Sequence, residues 1–304
     1  MEIMAKKMLI DATHAEETRV VVVEGNKVEE FDFESKNRRQ LAGNIYLAKV
    51  TRIEPSLQAA FIDYGGNPSD IDKILAIGKK HNLHVLQDGA QSLGGIYKGK
   101  KTGANAKIST MSFHMAKILS CVEGGMVFTH SKKMYSEILM RRSHGEKKSG
   151  DYLHNLLGTN ARLTDMQAGI GLAQIKKINK FVNKRREVAK KYKKKLKNIE
   201  GIKLPTVKKN CKNAYFFFPI LINKRDKIAK NLKSKYNIDT RIAYKMPIYE
   251  QKIYKRTIKS FKKLNCPIAE KITSKILNLP MFPSLRDQDI SYIVSSLKKE
   301  IKKK

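Results

Sequence analysis

The chain has 304 residues and carries 62 Lys+Arg against 28 Asp+Glu, a formal charge of +34. That length is enough for two domains and a sizeable core. No apolar run reaches the roughly 20 residues a membrane span needs, and the opening MEIMAKKMLIDAT is too short in apolar residues for a signal peptide. Cys121, Cys211 and Cys266 are scattered with no CxxC pair, which argues against a disulfide framework or structural zinc and suits a reducing cytoplasm. His81 and His84 lie three apart without a Cys or acidic cluster, so no metal site is expected.

Charge is unevenly placed. The first 66 residues hold 9 Lys+Arg and 11 Asp+Glu, whereas the remaining 238 hold 53 and 17. The basic part is rich in Lys rather than Arg, the residue suited to bidentate phosphate recognition. This pattern reads as solvated faces, with salt-sensitive, nonspecific nucleic-acid binding as the side effect of such charge.

Taken in order, Arg19 to Val23 is a β-branched run and Glu29 to Glu34 alternates acids with Phe, both strand patterns. NIYLAKVTRIEPSLQAAFIDYGG reads as two further strands joined at Glu54 to Ser56. Residues 5–66 resemble the extreme N-terminus of ribonuclease E/G. That resemblance implies an RNA-binding β unit in which Phe61 would stack on a base; a strand-core Phe is the other reading. The resemblance stops at Gly66 or Asn67, before any catalytic carboxylates of that family.

From Pro68 the pattern changes to helix then strand. Ser69 is expected to cap a helix running to about Lys80, with Ile71, Ile74, Leu75 and Ile77 on its apolar side. The apolar run from Leu83 to Leu86 ends on Asp88, and a second from Ile108 to Phe113 ends just before Lys117. Both read as buried strands of an α/β sheet. Ligands in such sheets bind beyond the carboxyl ends of strands, so one rim receives a carboxylate and an amine. Pyridoxal 5'-phosphate uses that pair: a Lys for its aldehyde and an Asp for its ring nitrogen. A lone Asp at a strand end is more often a helix cap or a turn former.

QDGAQSLGG, SFHMAK and EGGMV, in that order and spacing, resemble the DegT/StrS family of sugar aminotransferases. The resemblance covers residues 68–304 and implies an α/β, fold-type I architecture. It implies an incomplete large domain and an α/β small C-terminal domain, preceded by the short β-rich segment. Boundaries are expected at 1–66, 67–183 and 184–304, with two partial families abutting near residue 67. By the same resemblance Lys117 forms the Schiff base and shuttles the proton, and Asp88 holds the ring nitrogen. Gln91 lies near the ring and its phenolic oxygen, Ser112 touches the phosphate, and Asn160 reaches the phosphate of a neighbouring subunit. His114 and Arg162 are further candidates, and Asn160 could simply form a turn after Gly158.

The implied substrates are an amino donor, usually glutamate, and a keto-sugar nucleotide, giving an amino sugar for surface polysaccharide. A homodimer is implied by the Asn160 match alone. Nothing in residues 1–66 resembles the family's phosphate loop, so the chain by itself is expected to hold the cofactor weakly or not at all. The alternatives are an RNA-binding fragment and a non-functional fusion product.

Past EGGMVFT, Lys132 to Arg142 reads as a helix, and Thr164 to Gln167 is a capping box opening a long helical stretch. Ile175, Val182, Ala189 and Leu196 repeat every seven residues, with Ile178, Tyr192 and Ile199 alongside; this is a packed stripe with a wet, basic back. A membrane surface would suit the same pattern. Then come a strand at Ala214 to Ile222, a helix at Asp226 to Lys235 and a strand at Thr240 to Tyr244. A helix at Cys266 to Leu277 follows, then a last helix capped by Ser284 or Asp287.

Overall fold

The computed structural model describes residues 6–14, 17–24, 27–35, 64–68, 70–148, 150–257 and 266–303. Contacts divide the chain into two units, Met1–Arg52 with Ile138–Arg162, and Ile53–Glu137 with Leu163–Lys304.

In the first unit, β1 (Lys6–His14), β2 (Glu17–Glu24) and β3 (Lys27–Ser35) form an antiparallel sheet in the order β1-β2-β3. The β-branched run lies in β2 and the alternating run in β3, paired Val20 to Asp32 and Val21 to Phe31. Strands expected between residues 44 and 63, and with them Phe61, lie outside the described residues. Residues 143–160 fold back on themselves through bridges between Ser143 and Asn160 and between Glu146 and His154.

The second unit opens with a 3₁₀ turn at Tyr64–Gly66 and helix α1 (Ile71–Lys80). The residue at the cap position is Asp70, without a side-chain cap bond, while Ser69 lies outside the described residues. Ile71 is buried but Ile77 is exposed; Gly78 takes its place inward, pressed against Val85. Then follow β4 (Leu86–Asp88), the hairpin β5 (Ile96–Tyr97) and β6 (Lys100–Lys101), β7 (Ile108–Ser112) and β8 (Gly125–Thr129). β4 runs parallel to β7 and β7 antiparallel to β8, with β7 central. β7 buries Ser109 and Met111, but the flanking strands do not match the expected full burial. Leu86 is exposed, as are Met126, Val127 and Phe128 of β8.

Helix α2 (Lys132–Arg142) spans its expected bounds. The long helical stretch is two helices, α3 (Asp165–Ile175) and α4 (Ile178–Leu196), parted at Lys176 and Lys177. The capping box forms at α3: Gln167 N donates to Thr164 Oγ1 and Thr164 N to Gln167 Oε1. Ile175, before the break, points to solvent, whereas Val182, Ala189, Tyr192 and Leu196 are buried. The apolar stripe of α4 is thus used inside the protein and is not free for a membrane surface. No helix among the described residues is long and apolar enough to cross a membrane.

Two cores meet along α4. Val182 packs with Ile118, Ala214 and Phe216, while Val188, Ala189, Tyr192 and Leu196 join the larger core. Between them, Arg186 donates to the carbonyls of Gly94 and Asn213, and Arg185 to those of Tyr215, Phe216 and Met281. The larger core is built on β9 (Ile202–Lys203), β11 (Phe218–Ile222) and β12 (Ile276–Leu279), in the antiparallel order β12-β11-β9. β10 (Cys211–Lys212) pairs instead with β5. Helices α5 (Arg225–Tyr236) and α8 (Asp287–Lys302) cover this sheet with Ile228, Leu232, Ile290, Ile293 and Leu297. α6 (Lys252–Thr257) and α7 (Pro267–Lys275) complete the element order.

Three expectations shift here. The strand at Thr240 to Tyr244 shrinks to a single bridge between Arg241 and Asn278. The expected helix to Leu277 ends at Lys275 and passes straight into β12, whose four residues are all buried, so sheet burial overrides helical continuation. The last helix is capped neither by Ser284 nor by Asp287: Arg286 holds the cap position, its N–H donating to Asp289 Oδ2.

Candidate active site

Asp88 ends β4 and lies in register with Thr110 of the parallel neighbour β7, two residues before Ser112. The two strands therefore deliver Asp88 and Ser112 to one sheet edge. Asp88 Oδ1 accepts from Ala90 N at 2.9 Å, which turns the chain away from the edge. Beyond Ser112 a loop leaves and returns: Cys121 N donates to Phe113 O, and Phe113 N to Gly124 O. Ile118, Leu119 and Cys121 are buried and anchor it. Lys117 sits at its crest, its N–H closing a turn onto His114 O. His114 takes part through its ring, Nδ1 accepting from Ala116 N and Nε2 lying 3.3 Å from Glu123 Oε1. Ser112 Oγ receives only a long contact, 3.4 Å, from His114 N.

The opposite wall comes from residues 213–217, which precede β11. Lys117 Nζ lies 5.2 Å from the centroid of the Phe216 ring, a cation–π distance. Phe216 leans on Phe217, centroids 4.3 Å apart, and the Arg241 guanidinium lies 5.5 Å from the Phe217 centroid. The Tyr64–Gly66 turn is wedged beside this wall: Ala214 N donates to Gly66 O and Phe217 N to Gly65 O. Gln91 is held from both ends, its Oε1 accepting from Gly65 N at 2.9 Å and its Nε2 reaching Tyr244 Oη at 3.3 Å. A cavity of about 240 Å³ is lined by Ala116, Phe216, Phe217, Arg241, Asn278 and Met281, among others.

Burial holds the Lys117 amine below the ordinary lysine range, and the Arg241 charge acts in the same direction, while the Asp88 carboxylate opposes it. The neutral, nucleophilic form is therefore more accessible than on a surface lysine. Asp88 itself is solvent-exposed, and Gln91, Ser112 and Lys117 are half-buried. These four lie in the second unit, while Asn160 belongs to the first, exposed and bridged to Ser143.

Sequence reasoning missed Phe216, Phe217 and Arg241. Ala214 to Ile222 reads as one apolar strand, whereas β11 opens only at Phe218, so Phe216 and Phe217 precede it on the wall of the site. Arg241 carried no local signal.

The sequence model of the DegT/DnrJ/EryC1/StrS aminotransferase family matches residues 43–298, opening ahead of the junction expected near residue 67. An uncharacterised protein of Methanocaldococcus jannaschii is 34% identical over 254 residues, 78% of this chain and 65% of that one. GDP-perosamine synthase of Escherichia coli O157:H7 is 34% identical over 239 residues, 76% of this chain and 62% of that one. Among solved structures, Helicobacter pylori PseC, an aminotransferase involved in the biosynthesis of pseudoaminic acid, superposes with a TM-score of 0.73 at 28% identity. That alignment covers 79% of this chain and 65% of that one. The chain thus spans a little under two thirds of the length of these relatives.

Proposed function

The chain belongs to the DegT/DnrJ/EryC1/StrS aminotransferase family, and from that premise we propose that Lys117 carries pyridoxal 5'-phosphate and serves amine transfer to a keto-sugar nucleotide. The observation that carries this reading is the placement of Lys117: a half-buried amine of reduced proton affinity, at the crest of a loop one strand away from the Asp88 carboxylate. The donor set fits the cofactor's aldehyde and ring nitrogen. Asp88 would hold the nitrogen protonated, Ser112 would offer a hydroxyl to the phosphate, and Gln91 would stand beside the ring. The cofactor, when bound, supplies a sink for carbanion charge next to the reacting amine. With the cofactor held there, the free Lys117 amine would be placed to accept a proton from the donor carbon as a base and to give it up again as an acid. Phe216 beneath that amine keeps bulk water from one side of it.

The names of GDP-perosamine synthase and of the pseudoaminic-acid aminotransferase support an amino-sugar product; we further take glutamate as donor, surface polysaccharide as the product's use, and a homodimer in which Asn160 serves the neighbouring subunit. The same reading places the protein in the cytoplasm. It assigns 67–183 to a cofactor domain and 184–304 to a small domain, with 1–66 as a β-rich addition of ribonuclease E/G likeness. Reading the source DNA through Asn67–Pro68 tests that division; an uninterrupted sugar-aminotransferase front would sink it.

The central test is chemical trapping. The protein is mixed with pyridoxal 5'-phosphate, reduced with borohydride and mapped by peptide mass. Because the chain is expected to hold the cofactor weakly, the reagent is used in excess so that a transient adduct is captured; the expected result is enrichment on Lys117 over the surface lysines, lost in Lys117→Ala. Adducts spread evenly over the surface lysines refute the assignment.

A further inference from the structure

We propose that His114 is a positioning residue for Lys117: its neutral ring, with the proton on Nε2 toward Glu123, uses the Nδ1 lone pair to fix the crest that carries the amine. The inference rests on the reading of Lys117 above. Each polar group of His114 is turned to a neighbour in the site. Its N–H makes the long contact to Ser112 Oγ, its carbonyl accepts from Lys117 N at 2.9 Å, and Nδ1 accepts from Ala116 N at 3.2 Å. A backbone N–H is always a donor, so Nδ1 must keep its lone pair and the ring proton must lie on Nε2. Nε2 stands 3.3 Å from Glu123 Oε1, a carboxylate oxygen that accepts from that N–H. The two contacts thus select one and the same tautomer.

The two contacts differ in weight. His114 and Glu123 are both substantially exposed, so their pairing contributes little energy and serves to choose the nitrogen that holds the proton. The bond to Ala116 N closes a side-chain turn one residue before Lys117, on the outgoing limb of the loop. Glu123 stands on the returning limb, directly after Val122, whose φ of +72° lies in the left-handed region that a β-branched residue rarely adopts. Such a conformation persists only where the surroundings impose it. Here Cys121, fully buried, precedes it and donates from Sγ to Glu123 O at 3.2 Å. The imidazole therefore bridges the outgoing and returning limbs, and a crest so braced holds the Lys117 amine over Phe216.

Hydrogen exchange of the whole chain, read by NMR at the Lys117 amide, tests the brace, because that amide's acceptor is the His114 carbonyl, which no change of side chain removes. His114→Phe keeps a ring and loses both nitrogens, whereas His114→Asn keeps an acceptor, Oδ1, near the place of Nδ1. His114→Phe should speed Lys117 exchange by about 2- to 10-fold, the change in opening equilibrium that one lost hydrogen bond carries, and His114→Asn should restore most of the protection. The amide of Leu297 in α8 is the reference and should not change. In the unsubstituted chain at neutral pH, the chemical shifts of the two ring nitrogens should place the proton on Nε2. A proton on Nδ1, equal exchange in His114→Phe and His114→Asn, or equal acceleration at Leu297 overturns the proposal. Borohydride trapping on Lys117 is run on the same proteins. Its failure in the unsubstituted chain, with the exchange pattern as expected, would sink the aminotransferase reading and uphold the brace; success there with Lys117 exchange unmoved would sink the brace alone.

Discussion

Replacing Gly66 by alanine tests how the candidate site is held together. Gly66 has φ +90°, a conformation that residues with a Cβ rarely adopt, at a cost of about 1–2 kcal/mol. A Cβ there would stand 2.9 Å from Gln91 O, 2.9 Å from Phe216 N and 3.0 Å from Tyr215 N. All three are backbone atoms, so no side chain can swing aside, and the overlap adds about 1–3 kcal/mol. The expected total for Gly66→Ala is about 2–5 kcal/mol, read from the urea midpoint at unchanged slope. Gly99→Ala is the control: its φ is +81° and nothing lies within 4 Å of the added methyl, so only the backbone cost applies. Because the displaced atoms carry Gln91 and the Phe216 ring, Lys117 labelling should change in Gly66→Ala and not in Gly99→Ala. Equal destabilisation of the two variants would refute the wedge.

Lys117 should react with an amine acylating reagent at lower pH than the surface lysines. Arg241→Gln should move its profile up in pH and Asp88→Asn further down, as read by peptide mass; a profile matching the surface lysines refutes this. Glu300 is buried, and its carboxylate accepts from Lys303 Nζ, Asn231 Nδ2 and Tyr236 Oη. The Lys303 contact foremost holds it down at about 2, from an ordinary 4.5. Stability from this group is therefore present above pH 4.5 and lost as pH falls towards 2, and Glu300→Gln should flatten acid unfolding in that window. An unchanged acid limb would contradict it. Tyr192→Phe removes the donor to Pro280 O while keeping the ring on Phe218, and should cost about 1 kcal/mol in urea unfolding. No change would show that the carbonyl finds another partner.

Much of the second unit was legible because local signals agreed with tertiary demands. Ile108 to Phe113 is bounded by turn residues and buries alternate side chains; the Thr164 cap has both of its reciprocal bonds. Failures occurred where burial overrode local pattern. Ile276 to Leu279 follows a helix without a Gly or Pro, yet sheet pairing with β11 claims it. Ile77 and Ile175 fit their helical stripes by spacing but are more than half exposed. In the site, Asp88 and Lys117 were visible because each closes a short apolar run. Phe216 and Arg241 reach the same place from about 100 residues or more further along the chain, through a fold-level return that no local spacing announces.

Helix α4 joins two hydrophobic clusters, with arginines riveting its waist to carbonyls on both sides. Val182 and Tyr192 are separated by about 15 Å of continuous helix. Neither cluster can open without stripping cover from half of that rod and straining the other half. Backbone amides around Arg185 and Arg186 should therefore exchange with deuterium only when the whole second unit unfolds, making them the slowest in the protein. Loosening in the C-terminal core would then reach the lysine loop as a loss of order rather than as a displacement.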